Sequence, residues 1–167
     1  MRQKTECMPV KIFRTRHHKS IERHMTYRIA DELAIRTLQQ SYFHTVDSKD
    51  WDGFGSVIAE NAVFDFRVAV DPSIPPVAGR EAIVEFVRTS MEPITSAHRG
   101  FLRTLEFTDQ DTAWAVWAME DILWTGKAGS LTKLMNGHGH YKIRYRRIND
   151  KWYIDDWLLT RIFVEKY

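Results

Sequence analysis

The spacing of apolar residues changes near His98, and this change constrains the fold more than any other feature of the sequence. Upstream of it, apolar side chains recur every three or four residues, which is the period of an amphipathic helix. Downstream of it, apolar and polar residues alternate, which is typical of strands with one buried face. Helices followed by a run of antiparallel strands predict an α+β fold, in which N-terminal helices cover one face of a curved antiparallel sheet.

Residues 32–51 predict the helix around which the rest of the chain is organised. Its apolar side is predicted to contain Leu33, Leu38, Tyr42, Thr45 and Val46. Asp47 follows at the edge of this face, and the turn-forming residues 48–50 place it in the last helical turn. A carboxylate at the negative end of the helix dipole needs a hydrogen-bond donor from elsewhere in the fold.

The remaining segments follow the same two patterns. A short helix after residue 51 leads into a strand at 62–69, a proline-rich loop at 70–79 and a third helix at 80–91. Four strands are predicted after it, at 98–107, 113–124, 137–147 and 151–165. A two-residue turn at Asn149 and Asp150 is predicted to join the last two strands as a hairpin.

Length and composition indicate one domain, because 167 residues of which 44% are hydrophobic can bury a substantial core. Residues 1–28 carry eight of the 24 Lys and Arg but only two of the 22 Asp and Glu, so the remainder is mildly acidic. We predict a basic, disordered leader at 1–28 and the domain at 29–167. The alternative for the leader is a nucleic-acid-binding arm, but it has no recognition motif, and we expect no nucleic-acid partner.

The expected location is the cytoplasm. The sequence has a single cysteine, Cys7, which excludes an intramolecular disulfide and fits a reducing compartment. It has no apolar run of membrane length and no secretory signal pattern, so we expect no membrane partner.

The polar groups that the fold would bury are the main guide to chemistry. The sequence contains no phosphate-binding loop, dinucleotide fingerprint, CxxC, HExxH or GxSxG motif. Asp121 and Glu120 point to opposite faces of their predicted strand, so one of them must lie on the buried side. Asp121 shares its face with Trp117 and other apolar residues, and a buried acid needs a cation, for which Arg161 is a candidate.

Three stretches carry a family resemblance: IRTLQQSYFHTVDSKDWDGFGSVIAENAVFDF, HRGFLRTLEF and GHGHYKIRYRRINDKWYIDDWLLTRI. They lie between Ile35 and Ile162 and are similar to the SnoaL-like branch of the nuclear transport factor 2-like superfamily, a resemblance that covers about residues 30–163. This branch holds scytalone dehydratase, bile acid 7α-dehydratase and hexachlorocyclohexane dehydrochlorinase. The resemblance implies a cone-shaped α+β fold, chemistry without a cofactor, and a homo-oligomer, either a dimer or a trimer.

The resemblance also implies roles for individual residues. Enzymes of this branch use an aspartate of the first helix and a histidine of the strand after the third helix as a dyad, which Asp47 and His98 match. Tyr42, Asp121 and Arg161 match a tyrosine, an acidic residue and an arginine of the bile acid dehydratase. A carboxylate that holds one imidazole nitrogen leaves the other free as a base and stabilises the imidazolium that forms.

Each of these residues also has a structural interpretation. His98 can be a hydrogen-bonded core histidine, and Tyr42 can be a core tyrosine with its hydroxyl at the rim. Asp121 and Arg161 can form a structural salt bridge as readily as they can assist a departing group.

Trp117 and His140 complete the predicted substrate contacts beside Asp121 and Arg161. The many aromatic residues favour a pocket for aromatic or polycyclic molecules. His138 and His140 lie two residues apart on one strand face and could ligate a metal together with His98. Two histidines next to glycines are more often incidental, and we predict no metal site.

The sequence therefore predicts a cofactor-independent lyase for a small hydrophobic substrate. In this hypothesis His98 removes a C–H proton, Asp47 orients the imidazole, and Tyr42 assists the departure of water or another group. An isomerase or a cyclase would use the same dyad. A non-catalytic ligand-binding module is the alternative from another functional class, and it would not need the dyad.

Overall fold

The computed structural model describes residues 16–67 and 71–167. They form three helices: α1 (Arg16–Ser48), α2 (Trp51–Ser56) and α3 (Arg80–Met91). They also form six strands: β1 (Ile58–Asp65), β2 (Val77–Ala78), β3 (Thr95–Phe107), β4 (Thr112–Lys127), β5 (Ser130–Ile148) and β6 (Lys151–Lys166). The chain divides into two compact units, Met1–Asp31 and Glu32–Tyr167, and the whole sheet belongs to the second unit.

The leader predicted at residues 1–28 stays a prediction. Residues 1–15, including Cys7, lie outside the described residues, and α1 begins at Arg16, within the predicted leader. Over the described residues, no helix combines the length and the apolar character that a bilayer crossing requires.

The six strands form one open, curved sheet in the order β2-β1-β6-β5-β4-β3. Neighbouring strands are antiparallel except for β1 and β6, which run parallel and bring the first strand beside the last. A parallel pair needs a long connection between its strands, and here the chain between them forms β2, α3 and the three strands β3 to β5. The predicted α+β class is confirmed, with one parallel pair that alternation alone does not reveal.

Strand β5 shows why this sheet buries one face. Its buried residues alternate along the chain: Tyr141, Ile143 and Tyr145. Lys142, between them, is exposed on the other face. The turn after β5 has φ values of 50° at Asn149 and 62° at Asp150, as a two-residue hairpin between twisted strands requires. The predicted hairpin is therefore confirmed.

The buried side of α1 differs in part from the predicted one. Four predicted residues are buried: Leu38, Tyr42, Thr45 and Val46. The prediction for Leu33 is wrong, because this side chain is 64% exposed, whereas Ile35 is fully buried. Two positions along a helix turn the side chain by about 200°, so residues 33 and 35 cannot both face the sheet.

The segment between α2 and α3 contains more strand than its sequence predicts. Strand β1 begins at Ile58, four residues before the predicted start, because the Val57 carbonyl already accepts a hydrogen bond of 2.9 Å from the Ile154 N–H of β6. Val77 and Ala78 of the predicted loop pair with β1 as strand β2. Residues 68–70 lie outside the described residues, so the end predicted for the first strand at residue 69 does as well.

Candidate active site

Asp47 and His98 are in direct contact, as predicted. Asp47 lies in the last turn of α1, and His98 lies near the start of β3. The imidazole Nδ1 is 2.6 Å from Asp47 Oδ1, and the backbone N–H of His98 donates to Asp47 Oδ2 at 2.8 Å. The side chains are 10% exposed for His98 and 25% exposed for Asp47. The donor that a carboxylate at this end of a helix needs is thus supplied by the neighbouring strand.

The environment of Asp47 keeps it ionised and acceptor-only. Burial raises the pKa of the Asp47 carboxyl, but hydrogen bonds from His98 and Ser96 and the charge of a protonated His98 outweigh it, so that this pKa lies below its usual value. An ionised Asp47 accepts a proton-bearing Nδ1, which leaves Nε2 of His98 as the unprotonated nitrogen of the neutral imidazole. Nε2 has no hydrogen-bond partner among the described residues. The pair can therefore take up a proton at Nε2.

His98 opens onto a pocket of about 600 Å³ between α1, α3 and the inner face of the sheet. Its walls are mainly apolar, and the largest of them are rings: Phe66, Phe86, Tyr141 and Trp157. The Trp157 indole packs against Tyr141 with 5.2 Å between ring centroids and stacks on Phe64 at 5.1 Å. Rings packed in this way make a pre-formed apolar cavity of the size that small organic ligands occupy.

Asp121 and Arg161 form a buried, two-pronged ion pair in the wall of this pocket. Arg161 Nη1 and Nη2 donate to the two carboxylate oxygens of Asp121, each at 2.7 Å. Asp121 is the direct neighbour of His98 in the β3–β4 ladder, so the pair borders the dyad. Gly137 makes room for it, because a Cβ atom there would lie 2.5 Å from Arg161 Nη1. The predicted inward acid is Asp121, and its predicted partner is Arg161.

Tyr42 and Tyr141 bring two phenols to the pocket, with ring centroids 6.2 Å apart. Neither hydroxyl makes a hydrogen bond to the described part of the chain. Burial raises the pKa of Tyr42, and the nearby charges of Asp121 and Asp47 raise it further. Burial, Tyr42 and Asp121 likewise raise the pKa of Tyr141. Both phenols therefore remain protonated and available as hydrogen-bond donors to a ligand.

We expect Tyr42, Tyr141 and Tyr145 to stay protonated in alkali until the protein unfolds. Burial also raises the pKa of Tyr145. A folded-state pKa above the unfolded value of about 10 favours folding at lower pH, and this contribution is lost as the pH rises beyond 10. Phenolate absorbance should therefore show these three of the six tyrosines ionising together with unfolding, as followed by circular dichroism.

Replacing Tyr145 by Phe should remove one tyrosine from the step that accompanies unfolding. Gradual ionisation of all six tyrosines in the folded protein would contradict the burial of these phenols.

The structure brings four of the predicted site residues to one pocket: His98, Tyr42, Asp121 and Arg161. Asp47 does not line this pocket, but its carboxylate contacts the His98 ring. Trp117 does not reach the pocket, and its indole N–H donates at 2.9 Å to the buried Tyr145 hydroxyl. Trp117 shares the inner face of β4 with Asp121 but lies four residues further from the pocket, within the core.

His140 also lies outside the pocket, on the opposite face of the sheet. Its neighbour Tyr141 points inward, and successive strand residues alternate, so His140 and His138 point outward. His138 stacks on the exposed Phe163 at 5.6 Å. The sheet thus separates both residues from His98, and no three His, Cys, Asp or Glu residues within the described ranges could together hold a metal ion.

Two residues of the site were missed from the sequence: Ser96 and Tyr141. Ser96 donates to Asp47 Oδ1 at 2.8 Å. Its position two residues before His98 placed it on the same strand face, which was the available signal. Tyr141 alternates with the charged Lys142 along its strand, which indicates the buried face, but the sequence does not indicate which inward residues border a cavity.

Solved structures of other proteins share this architecture. A hexachlorocyclohexane dehydrochlorinase, LinA-type3 from Novosphingobium barchaimii, has a TM-score of 0.70 and 18% identity, over 85% of this chain and 93% of that one. A Novosphingobium aromaticivorans protein provisionally assigned as a scytalone dehydratase has a TM-score of 0.74 and 14% identity, over 86% and 91%. A ketosteroid isomerase-like protein from Erwinia carotovora atroseptica has a TM-score of 0.63 and 14% identity, over 78% and 95%. At such identities the likeness establishes the fold alone.

The family is established by the sequence itself. The sequence pattern of the SnoaL-like domain matches residues 27–157, which is most of the chain. The matched region contains both dyad residues and the acidic residue of the buried ion pair, while Arg161 follows it. The chain is therefore a member of the SnoaL-like family.

Proposed function

We propose that this protein is a cofactor-independent lyase that eliminates water from a hydrophobic, ring-containing small molecule. The observation that carries the proposal is the 2.6 Å contact between Asp47 and His98 at the wall of an apolar pocket. A purely structural histidine does not need its second ring nitrogen to be free beside a cavity. A proton-transfer dyad does.

In the proposed reaction, His98 Nε2 takes a proton from a carbon next to a carbonyl group. The electron pair of the broken C–H bond moves toward the carbonyl oxygen, and the enolate-like charge accepts hydrogen bonds from Tyr42 and Tyr141. Asp47 stabilises the imidazolium that forms. The hydroxyl on the next carbon then departs as the electrons return, and it takes a proton from the imidazolium to leave as water. His98 is thereby restored to its neutral form.

The surroundings of the dyad support this chemistry. The apolar walls exclude water, and in a medium of lower dielectric constant the phenols stabilise a developing oxyanion more than they would in water. Asp121 engages Arg161 fully on one side, so the pair adds little net charge to the pocket, which suits a neutral substrate. Structural neighbours named for a dehydratase, a dehydrochlorinase and an isomerase-like protein agree with a reaction that begins by loss of a proton from carbon.

A bicyclic β-hydroxy ketone, 3-hydroxy-1-tetralone, tests the proposal directly. Loss of water converts it to 1-naphthol, which is followed by its absorbance. We expect the full-length protein to accelerate this conversion and His98→Gln to lose the acceleration. His44→Gln is the matched control, because His44 is exposed on the same helix as Asp47.

A second probe, 1-tetralone in D₂O, separates the alternatives because it has an acidic C–H but no leaving group. Deuterium incorporation that depends on His98, without elimination from the hydroxylated ketone, would favour an isomerase or a cyclase. Binding of either ketone without exchange or elimination would favour a ligand-binding module and contradict the lyase. The predicted cytoplasmic location and the predicted dimer or trimer remain predictions.

A further inference from the structure

A serine and a lysine lie behind the dyad, on the side of Asp47 away from the pocket. Ser96 Oγ donates to Asp47 Oδ1 at 2.8 Å and accepts a hydrogen bond of 3.3 Å from Lys49 Nζ. Lys49 Nζ also donates to the Val46 carbonyl at 3.2 Å. An uninterrupted row of polar contacts thus runs from the ammonium through the hydroxyl and the carboxylate to the imidazole.

The local fold holds this row in place. Ser96 and His98 are two residues apart on β3 and share one face, so both meet the end of α1. Lys49 has a φ of 61° in the turn between α1 and α2, which directs the chain back over the end of α1. Its ammonium lies 5.9 Å from the centre of the Trp51 ring, and the Trp51 indole N–H is held by Glu92 at 2.7 Å.

Lys49 is half-buried and contributes a positive charge. Burial lowers its pKa, whereas the charges of Asp47 and Glu92 raise it and oppose this effect. A lysine whose pKa starts near 10.5 remains a cation at neutral pH after a partial reduction of this kind. The cation therefore lies one hydroxyl group away from the Asp47 carboxylate.

The arrangement matters because a buried carboxylate alone would favour a protonated imidazole. A general base must be neutral before it can take a proton from the substrate. Ser96 and His98 compete for the same oxygen, Asp47 Oδ1. A donor and a cation on that oxygen reduce the negative potential at His98, so that the imidazole holds a proton less strongly.

We propose that Ser96 and Lys49 are positioning residues that orient Asp47 and weaken its hold on the His98 proton. This proposal rests on the proposed function, because only a general base needs this adjustment. Neither residue touches the pocket, so both act through Asp47.

The other titratable groups around His98 do not act on Asp47 as Ser96 and Lys49 do. Tyr42 on α1 and Tyr141 on β5 are neutral phenols, and Asp121 on β4 is paired with Arg161 on β6. Lys166 lies at the pocket wall on β6 but makes no contact with Asp47. The part of α3 that lines the pocket is Phe86, Val87, Ser90 and Met91, none of which is titratable.

The test is a nuclear magnetic resonance titration of the full-length chain labelled at histidine. The signal of His98 is assigned by its absence in His98→Gln. We expect Lys49→Met and Ser96→Ala each to raise the midpoint of His98 protonation by about half a pH unit, or about threefold in proton affinity, which is the scale of a partly screened charge. Lys49→Arg should keep the midpoint of the parent protein.

Lys142→Met is the matched control, because Lys142 is exposed on the outer face of β5 and should leave the midpoint unchanged. In a protein that is active on the ketones, the acidic limb of the pH–rate profile should move in the same direction as the midpoint. Unchanged midpoints in folded Lys49→Met and Ser96→Ala proteins would overturn the proposal, even if His98 proves essential for activity. A purely structural role would lower thermal stability without moving the midpoint.

Discussion

We expect the replacement of His98 by glutamine to lower the rate of elimination or proton exchange by about 10³-fold, the scale that a positioned general base contributes. Glutamine has a similar length and can donate to Asp47, but it has no nitrogen that accepts a proton at neutral pH. The Asp47 carboxylate is 25% exposed and keeps its hydrogen bonds from Ser96 and the His98 backbone, so the fold should survive. The measurement is the initial rate with 3-hydroxy-1-tetralone and the exchange rate with 1-tetralone.

Asp47→Asn should lower the same rates by about 10²-fold, because an amide can hold the ring but does not stabilise an imidazolium to the same extent. His44→Gln should retain the parent rate. Circular dichroism and the melting temperature of each variant show whether the fold is intact. Activity of His98→Gln within tenfold of the parent rate would contradict the assignment of His98 as the base.

Replacing Arg161 by methionine should lower the free energy of unfolding by about 3–5 kcal/mol, the cost of leaving a buried charge without its partner. Asp121 is only 5% exposed at its side chain, and both of its carboxylate oxygens bond to Arg161. Gly137 brings the β5 backbone against the pair on one side, where a Cβ atom would lie 2.5 Å from Arg161 Nη1. Urea denaturation and a fall in melting temperature of roughly 6–20 °C would measure the effect.

The double variant Asp121→Asn/Arg161→Met separates the charge from the packing. Asparagine has the shape of aspartate without its charge, so the double variant should be more stable than Arg161→Met alone. Arg99→Met is the matched control, because Arg99 is 59% exposed and its contact with Glu120 is an open surface pair, worth at most about 1 kcal/mol. A loss of less than 1 kcal/mol in Arg161→Met, or a double variant no more stable than it, would contradict a desolvated pair.

The candidate site was predictable where residue type and strand direction were sufficient. Asp121 was the acid on the apolar face of its strand, and alternation alone predicted that one of Asp121 and Glu120 would be buried. The contact between Asp47 and His98 was implied by the family resemblance, because no rule of spacing joins residues 51 positions apart. Trp117 shares the face of Asp121 but does not line the pocket, because alternation indicates a face of the sheet and not the distance along it at which a cavity opens.

For His140, the predicted role and the strand alternation pointed to different faces of the sheet. Its alternation with Tyr141 already implied the face opposite to the core, yet two histidines two residues apart, His138 and His140, resembled ligands for a substrate or a metal. The curved sheet decided the matter by placing His140 and His98 on opposite faces. Leu33 was a misreading of the helical period, because Ile35 lies three residues before Leu38 and seven before Tyr42, whereas Leu33 lies five residues before Leu38.

Local sequence patterns were sufficient to predict the α+β class, the hairpin at Asn149 and Asp150, and the inward residues of β5, because these depend on local periods and on turn geometry. Only the folded chain shows the parallel pairing of β1 with β6, the boundary of the pocket, and the row from Lys49 through Ser96 to Asp47. These features depend on contacts between residues far apart in the chain. Such contacts depend on how the helices pack against the sheet, and local sequence patterns do not specify that packing.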